Sequence, residues 1–315
     1  MSASNYNTLS PVLFIVFNRP DTTKIVFDAI AAVRPKALYI AADGPRQNKD
    51  GETEKCEQVR KITQQVTWPC KVETLYRTQN LGCKDAVSSA ITWFFEQEEE
   101  GIILEDDCVP SADFFRFCDD LLAKYRDDTR VSIIGGTNLH NNQLLGNGSY
   151  YFSTMTIIWG WASWRRVWNK YDTNLSCYEL PEAERQLEKV LDNQYILQNW
   201  TEIFSKLKAG EIDTWDYQFA IINYFENMVS ILPNYNLISN IGHGAGATHT
   251  LNPDNAYSKI PYQQLPLKII HPKYILPEYD ADAKVLNQMF DVDNRMKKDN
   301  HPRRKFKRWL KTLFK

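Results

Sequence analysis

The chain has 315 residues, with 37 Lys+Arg against 39 Asp+Glu and 43% apolar residues, enough for one large α/β domain or two close-packed ones. A charged fraction of 24% beside 13% aromatic residues excludes disorder for the bulk of the chain, and no apolar run approaches the ~20 residues of a spanning helix. Residues 303–315 hold seven Lys/Arg and no acid, so the body before them is acidic, which speaks against nucleic acid as a partner.

The start, MSASNYNTLSP, has neither the basic residues nor the apolar stretch of a secretory signal, and the expected location is cytoplasmic. Pro11–Phe17 (PVLFIVF) reads as a strand covered on both faces. Asn18-Arg19-Pro20 ends it, and Asp21 is positioned to cap a helix through Val33. Ala37–Ala42 is a second strand, closed by the turn signature Asp43-Gly44-Pro45. A polar helix with Val59 and Ile62, the alternating strand Lys71–Tyr76, a helix over Asp85–Gln97 and the short apolar strand Gly101–Leu104 follow. Strand and helix alternating in this rhythm predict parallel pairing through right-handed crossovers, a doubly wound sheet.

Val131–Ile134 and Tyr150–Ser153 add strands. In the aromatic block, Trp161, Trp164 and Trp168 recur at i, i+3, i+7, the spacing of one helical face. Trp164 and Trp168 are expected in the core, whereas Trp159, Gly160 and Trp161 are expected to wall a site. A helical stretch runs on to about residue 227, and after Asn252 the chain is polar and proline-rich with few packing signals. Six scattered cysteines without a paired spacing predict reduced, mostly buried thiols.

Ligands of such sheets bind beyond the carboxyl ends of the strands, so the polar residues there carry the chemistry. Glu105-Asp106-Asp107 follows the fourth strand directly. Adjacent carboxylates repel one another and titrate high unless a cation offsets them; as hard oxygen donors they suit Mg²⁺ or Mn²⁺. Pleat alternation would set Glu105 and Asp107 on one side and Asp106 on the other. The plain alternative is an acidic loop leading into a helix near Ser111. Arg19, Arg46, Arg77, Asn80 and Lys84 recur after neighbouring strands, Arg being suited to bidentate phosphate contact. Asp43 is placed to accept a hydrogen bond from a base or ribose.

Ile103-Leu104-Glu105-Asp106-Asp107 followed by Asp113-Phe114-Phe115 resembles the EDD segment of N-acetylglucosaminyltransferase I and its bacterial relatives, metal-dependent inverting glycosyltransferases of the GT-A fold. The resemblance extends back to VLFIVFNRP, Ala42-Asp43-Gly44 and Asn80-Leu81-Gly82. It extends forward to Gly160-Trp161, Trp215-Asp216, and Ser239, Gly242 and Thr248-His249, covering roughly residues 11–250. It implies a GT-A fold, a Rossmann-like doubly wound mixed sheet with helical additions and a basic amphipathic C-terminal helix. Residues 1–110 would be the nucleotide-sugar-binding half, 111–255 the acceptor-side half of the same domain, and 256–315 an extension.

By the same resemblance Asp107 would be the direct ligand of Mn²⁺ or Mg²⁺, Asp106 and Glu105 would contact ribose and donor sugar, and Arg19 and Asp43 would hold the nucleotide. Asp216 would be the catalytic base. The family motif has a second acid beside that base, whereas this chain has Tyr217, with Asp213 three residues earlier. The glycine-rich 239–250 segment would close over the donor with His249 near the diphosphate. The implied reaction moves a sugar from a nucleoside-diphosphate sugar, a UDP-sugar favoured, to a glycan hydroxyl. The rival readings are a nucleotidyltransferase on the same sheet and a non-enzymatic glycan-binding module. In the tail, Phe306, Trp309, Leu310, Leu313 and Phe314 share one helical face with basic residues on the other, the pattern of an interfacial anchor for anionic lipid, the plain alternative being a terminal helix docked on the acidic body. An enzyme held there would extend a lipid-linked surface glycan such as capsule or lipopolysaccharide.

Overall fold

The first apolar run is strand β1 (Val12–Val16), with all five side chains buried. The computed structural model describes residues 6–141, 143–242 and 260–301. After β1 come α1 (Pro20–Val33), β2 (Ala37–Ala42), α2 (Glu52–Thr63), β3 (Lys71–Tyr76), α3 (Gly82–Gln97) and β4 (Glu100–Glu105). The middle of the chain forms β5 (Cys108–Pro110), α4 (Ala112–Tyr125), β6 (Val131–Gly135), β7 (Tyr150–Ser153), β8 (Trp161–Trp164) and the single turn α5 (Arg165–Trp168). The remainder is α6 (Leu180–Leu187), α7 (Gln194–Lys208), α8 (Asp216–Phe225), β9 (Val229–Pro233), β10 (Ile238–Asn240), α9 (Tyr279–Met289) and α10 (Val292–Asn300).

Asp21 does not cap α1. The helix begins two residues sooner than that cap would allow, on Pro20, whose fixed φ suits a first helical position, and Asp21 lies inside the first turn, where its charge meets the helix dipole. Ser111 caps α4 by accepting from the Phe114 amide.

Eight strands form one sheet in the order β3-β2-β1-β4-β8-β6-β9-β7. β1 pairs in parallel with β2 and β4, and β2 with β3, as the strand–helix rhythm predicts. β8 then runs antiparallel between β4 and β6; β9 is parallel to β6, and β7 antiparallel to β9. The class is α/β with a mixed sheet. Two reversals restore direction, so β6 and β9 point the same way as β1–β4 and their carboxyl ends share one rim. A second, two-stranded sheet pairs Cys108 of β5 with Asn240 of β10, drawing the chain after β9 back across the acidic triplet.

The tryptophan spacing does not mark a helix. Trp161–Trp164 is strand β8, covered on both faces, so both rings are buried on opposite sides of the sheet. Trp161 stacks on Trp215 with ring centroids 5.8 Å apart. Trp164 donates its indole N–H to the Leu122 carbonyl of α4 at 3.3 Å.

A second apolar core lies beyond the β7 end of the sheet, where Leu187, Trp200, Phe204, Ile221 and Leu286 bring α6, α7, α8 and α9 together. Between β10 and α9, residues 260–277 run as a strap along that end: Pro277 bridges to Phe152 of edge strand β7. All six cysteines are free; Cys56, Cys108 and Cys118 are buried and Cys177 is exposed. Among the described residues no helix is long and apolar enough to cross a membrane. The basic 303–315 segment and the His249 loop lie outside the described residues.

Candidate active site

The rim at the carboxyl ends of β1, β2 and β4 gathers most of the residues singled out in the sequence. β4 ends at Glu105, and Asp106 and Asp107 form a turn. Pleat alternation therefore stops at Glu105, and the two aspartates face the same cation instead of opposite sides. Arg19, just past β1, donates to Asp106 Oδ1 at 2.7 Å and to Asp107 Oδ2 at 2.9 Å. Asp106 also accepts from the Phe17 amide at 3.3 Å and is only 3% exposed.

Burial would discharge Arg19, but Asp106 and Asp107 outweigh it and raise its pKa. Burial lifts the Glu105 and Asp106 carboxyls well above the ordinary carboxylate range. Asp107, Asp106 and Asp216 push Glu105 further, while Arg19 pulls both back.

Asp43, at the end of β2, is held in a closed set of donors. It accepts from the Gly44 amide at 2.9 Å, the Asn80 side-chain amide at 2.8 Å, and the Leu81 amide at 3.1 Å. Burial raises its pKa against those bonds. Asn80 thus serves Asp43 and the Gly44 carbonyl and braces the turn after β2 against the turn after β3. Arg46 is turned aside to Glu52, which also accepts from Asn18. Arg77 reaches Ser89 on α3 at 2.7 Å, and the Lys84 ammonium lies 3.5 Å from Asn174.

Two residues that the motifs do not single out organise this rim. Asp213 accepts from the backbone amides of Cys83 and Lys84 at 3.1 and 2.9 Å, capping α3 from the loop that carries Asp216. The approach is close: a Cβ on Gly82, whose φ is +81°, would lie 2.9 Å from Asp213 Oδ2. Cys83 sits among these acids. Burial, then Glu105, Asp213, Asp216 and Asp43 push its thiol up to about 12. Asp216 opens α8 and accepts from the Thr214 hydroxyl. Carboxylates from β2, β4 and the α8 loop thus converge electrostatically on one thiol. The signal available in the sequence was the short interval from Asp213 to Asp216.

Trp161 and Gly160 do not wall the site. Trp161 is 1% exposed within the aromatic core, and Gly160 lies beneath the rim with a positive φ of 63°, where a Cβ would strike Ile238 at 2.5 Å. Gly242 crosses directly over the acids: a Cβ there would fall 2.0 Å from Asp107 Oδ2.

Among the described residues no group of three or more His, Cys, Asp or Glu side chains is arranged to cage a metal ion. The donor set at the turn is nonetheless hard oxygen. Asp107, whose Oδ1 is 3.3 Å from the Cys108 thiol and whose Oδ2 meets Arg19, suits an ion that takes one carboxylate from the protein and its other ligands from phosphate and water.

No family model matches this chain, and no curated protein matches it. Among solved structures, the crystal structure of HddC from Yersinia pseudotuberculosis is similar at a TM-score of 0.32 and 7% identity, over 52% of this chain and 80% of that one. A likeness of that size carries no argument about function.

Proposed function

We propose that the chain is a nucleotide-sugar glycosyltransferase of GT-A type, transferring a sugar from a nucleoside-diphosphate sugar, UDP-sugars favoured, to a hydroxyl of a glycan acceptor. The observation that supports it is the meeting of Arg19, Asp43 and Glu105-Asp106-Asp107 at one sheet rim with Asp216 close enough to push the Glu105 carboxyl's pKa up. Nucleotide binding calls for the first group, and removal of a proton from an attacking hydroxyl calls for a nearby carboxylate.

Each residue has a part in this reading. Asp43, braced by Asn80, is the acceptor for the base or ribose. Asp107 would hold Mn²⁺ or Mg²⁺, which when bound supplies positive charge for a departing diphosphate. Arg19 adds a second, fixed positive charge at the same place. Asp216 takes the proton of the incoming hydroxyl, and inversion follows from a single displacement that needs no protein nucleophile.

The test is thermal. Mn²⁺-dependent stabilisation by a nucleoside diphosphate, lost in Asp107→Ala, is the expected outcome, and an absence of any nucleotide effect in the unaltered chain sinks the proposal. In a donor screen, Asp216→Asn should lower turnover by about a hundredfold or more while the nucleotide-induced shift persists. Near-normal turnover in that variant removes Asp216 from the role. A product that joins nucleotide to sugar phosphate would instead identify a nucleotidyltransferase.

A further inference from the structure

The strap over residues 260–277 has two sides. Leu265 is buried, and Ile269 and Ile275 pack against the main core. Arg116 of α4 holds the strap's beginning through the carbonyls of Leu265, Pro266 and Leu267 at 3.0 to 3.1 Å. Ser149 holds its middle, donating its amide to the Ile270 carbonyl at 2.7 Å and accepting from the Ile270 amide at 2.9 Å. Its end is held at Phe152, whose carbonyl accepts from the Glu278 amide at 2.8 Å. With its inner residues so fixed, the strap presents Leu267, Ile270, Tyr274, Leu276 and, at the start of α9, Tyr279 outward, each more than half exposed. Five large apolar side chains exposed within thirteen positions are a high density for a surface segment.

Within residues 260–277 the charges are of one sign, and Glu278 and Asp280 follow on either side of Tyr279. From Ile260 to Pro277 there is no Asp or Glu, while Lys268 and Lys273 stand among the exposed apolar residues. Lys273 lies over the Tyr274 ring at 5.3 Å. Lysine is depleted at the centre of protein–protein interfaces, whereas Lys and Tyr beside aliphatic anchors are the composition of a membrane–water boundary, where the stems lie in the apolar zone and the ammonium groups reach phosphate. The chain's own 303–315 segment is an unsuitable cover, because it brings seven further cations and no acid to a strap whose own charges are Lys268 and Lys273.

We infer that the strap over residues 265–277, with Tyr279 beside it, is a docking surface for an anionic lipid bilayer, with Leu267, Ile270, Tyr274, Leu276 and Tyr279 as anchors and Lys268 and Lys273 as headgroup contacts. The surface begins next to the acidic rim, since the Tyr262 hydroxyl donates to the Val109 carbonyl of β5 at 3.0 Å. Where the proposed transferase activity also holds, this places a lipid-linked acceptor within the site's surroundings.

Vesicle co-sedimentation of the full-length chain tests the inference, with phosphatidylcholine alone and with phosphatidylcholine mixed with phosphatidylglycerol. The variant Leu267→Ser/Tyr274→Ser/Leu276→Ser should weaken partitioning into the mixed vesicles by about tenfold or more. Lys268→Glu/Lys273→Glu should remove most of the gain that phosphatidylglycerol gives. Both should melt as the unaltered chain does, because the altered side chains are exposed. Three results overturn the inference: no vesicle binding by the unaltered chain, binding unchanged in both variants, or a concentration-dependent dimer that the serine variant abolishes. Failure of the transferase proposal is read separately, in the nucleotide-induced melting shift, which the strap variants should retain.

Discussion

Arg19 is the only cation that touches both aspartates among the described contacts of the rim, and its loss has a calculable sign. Burial raises the Glu105 and Asp106 carboxyls, so the folded protein keeps protons that the unfolded chain has released. The associated penalty is absent below the ordinary carboxylate range and grows as pH rises toward the raised values. In metal-free buffer the melting temperature should therefore fall between about pH 5 and pH 8, and Glu105→Gln should flatten that fall. Arg19→Met should cost about 3 kcal/mol, most of it at the alkaline end, because Asp106 is then a buried charge without a partner. Denaturant titrations at the two pH values check both sign and size; a deficit independent of pH would mean that Arg19 acts through packing alone. The sequence makes Arg19 and the triplet visible because each directly follows an apolar run. It marks Arg19 as a phosphate ligand, and only the fold brings it to carboxylates 87 and 88 positions away.

Among elements, local pattern carried furthest where one chain segment decides its own state. β2, β3 and β7 have the bounds that their residues predict, since β-branched and aromatic runs between turn residues leave few alternatives. The predicted start of α3 at Asp85 is three residues late, because the helix is extended to Gly82 by a cap from Asp213, far along the chain. The Trp161–Trp164 strand was equally illegible: a spacing of three fits a helical face and also fits two faces of a strand buried on both sides. The Asp213 cap gives a prediction at this scale. Asp213→Ala should cost about 1 kcal/mol, with Asp213→Asn retaining much of it, and Gly82→Ala should cost more than the cap alone because its backbone is left-handed and its Cβ would meet the carboxylate. Hydrogen exchange at the Cys83 and Lys84 amides should accelerate in Asp213→Ala; unchanged protection there would show that Asp213 is not the cap.

At the scale of the whole molecule, α9 ties the chain's late segment to the far end of the sheet. Asp282, 4% exposed, accepts from the Ser153 hydroxyl at 2.5 Å and from the Thr154 amide and hydroxyl at 2.7 and 2.8 Å. Removing the carboxylate leaves one buried and two half-buried donors without it, so Asp282→Ala should cost about 2 kcal/mol and expose residues 279–301 to limited proteolysis before the rest. If global unfolding and cleavage of that segment coincide, the second core is no weaker than the first. Little of this was legible beforehand, because the sequence after Asn252 has no long apolar period; much of its order comes from partners more than a hundred positions earlier. The central sheet, in contrast, was readable as α/β from the first hundred residues, while the reversed strand β8 was not, since nothing in Trp161–Trp164 states its direction.

The guanidinium between Asp106 and Asp107 has a consequence for how the protein is made. These acids acquire their counter-charge as soon as β1 and β4 pair, from a residue in the same polypeptide. One fixed positive charge therefore belongs to the rim from the moment its two strands are joined, supplied from within the polypeptide.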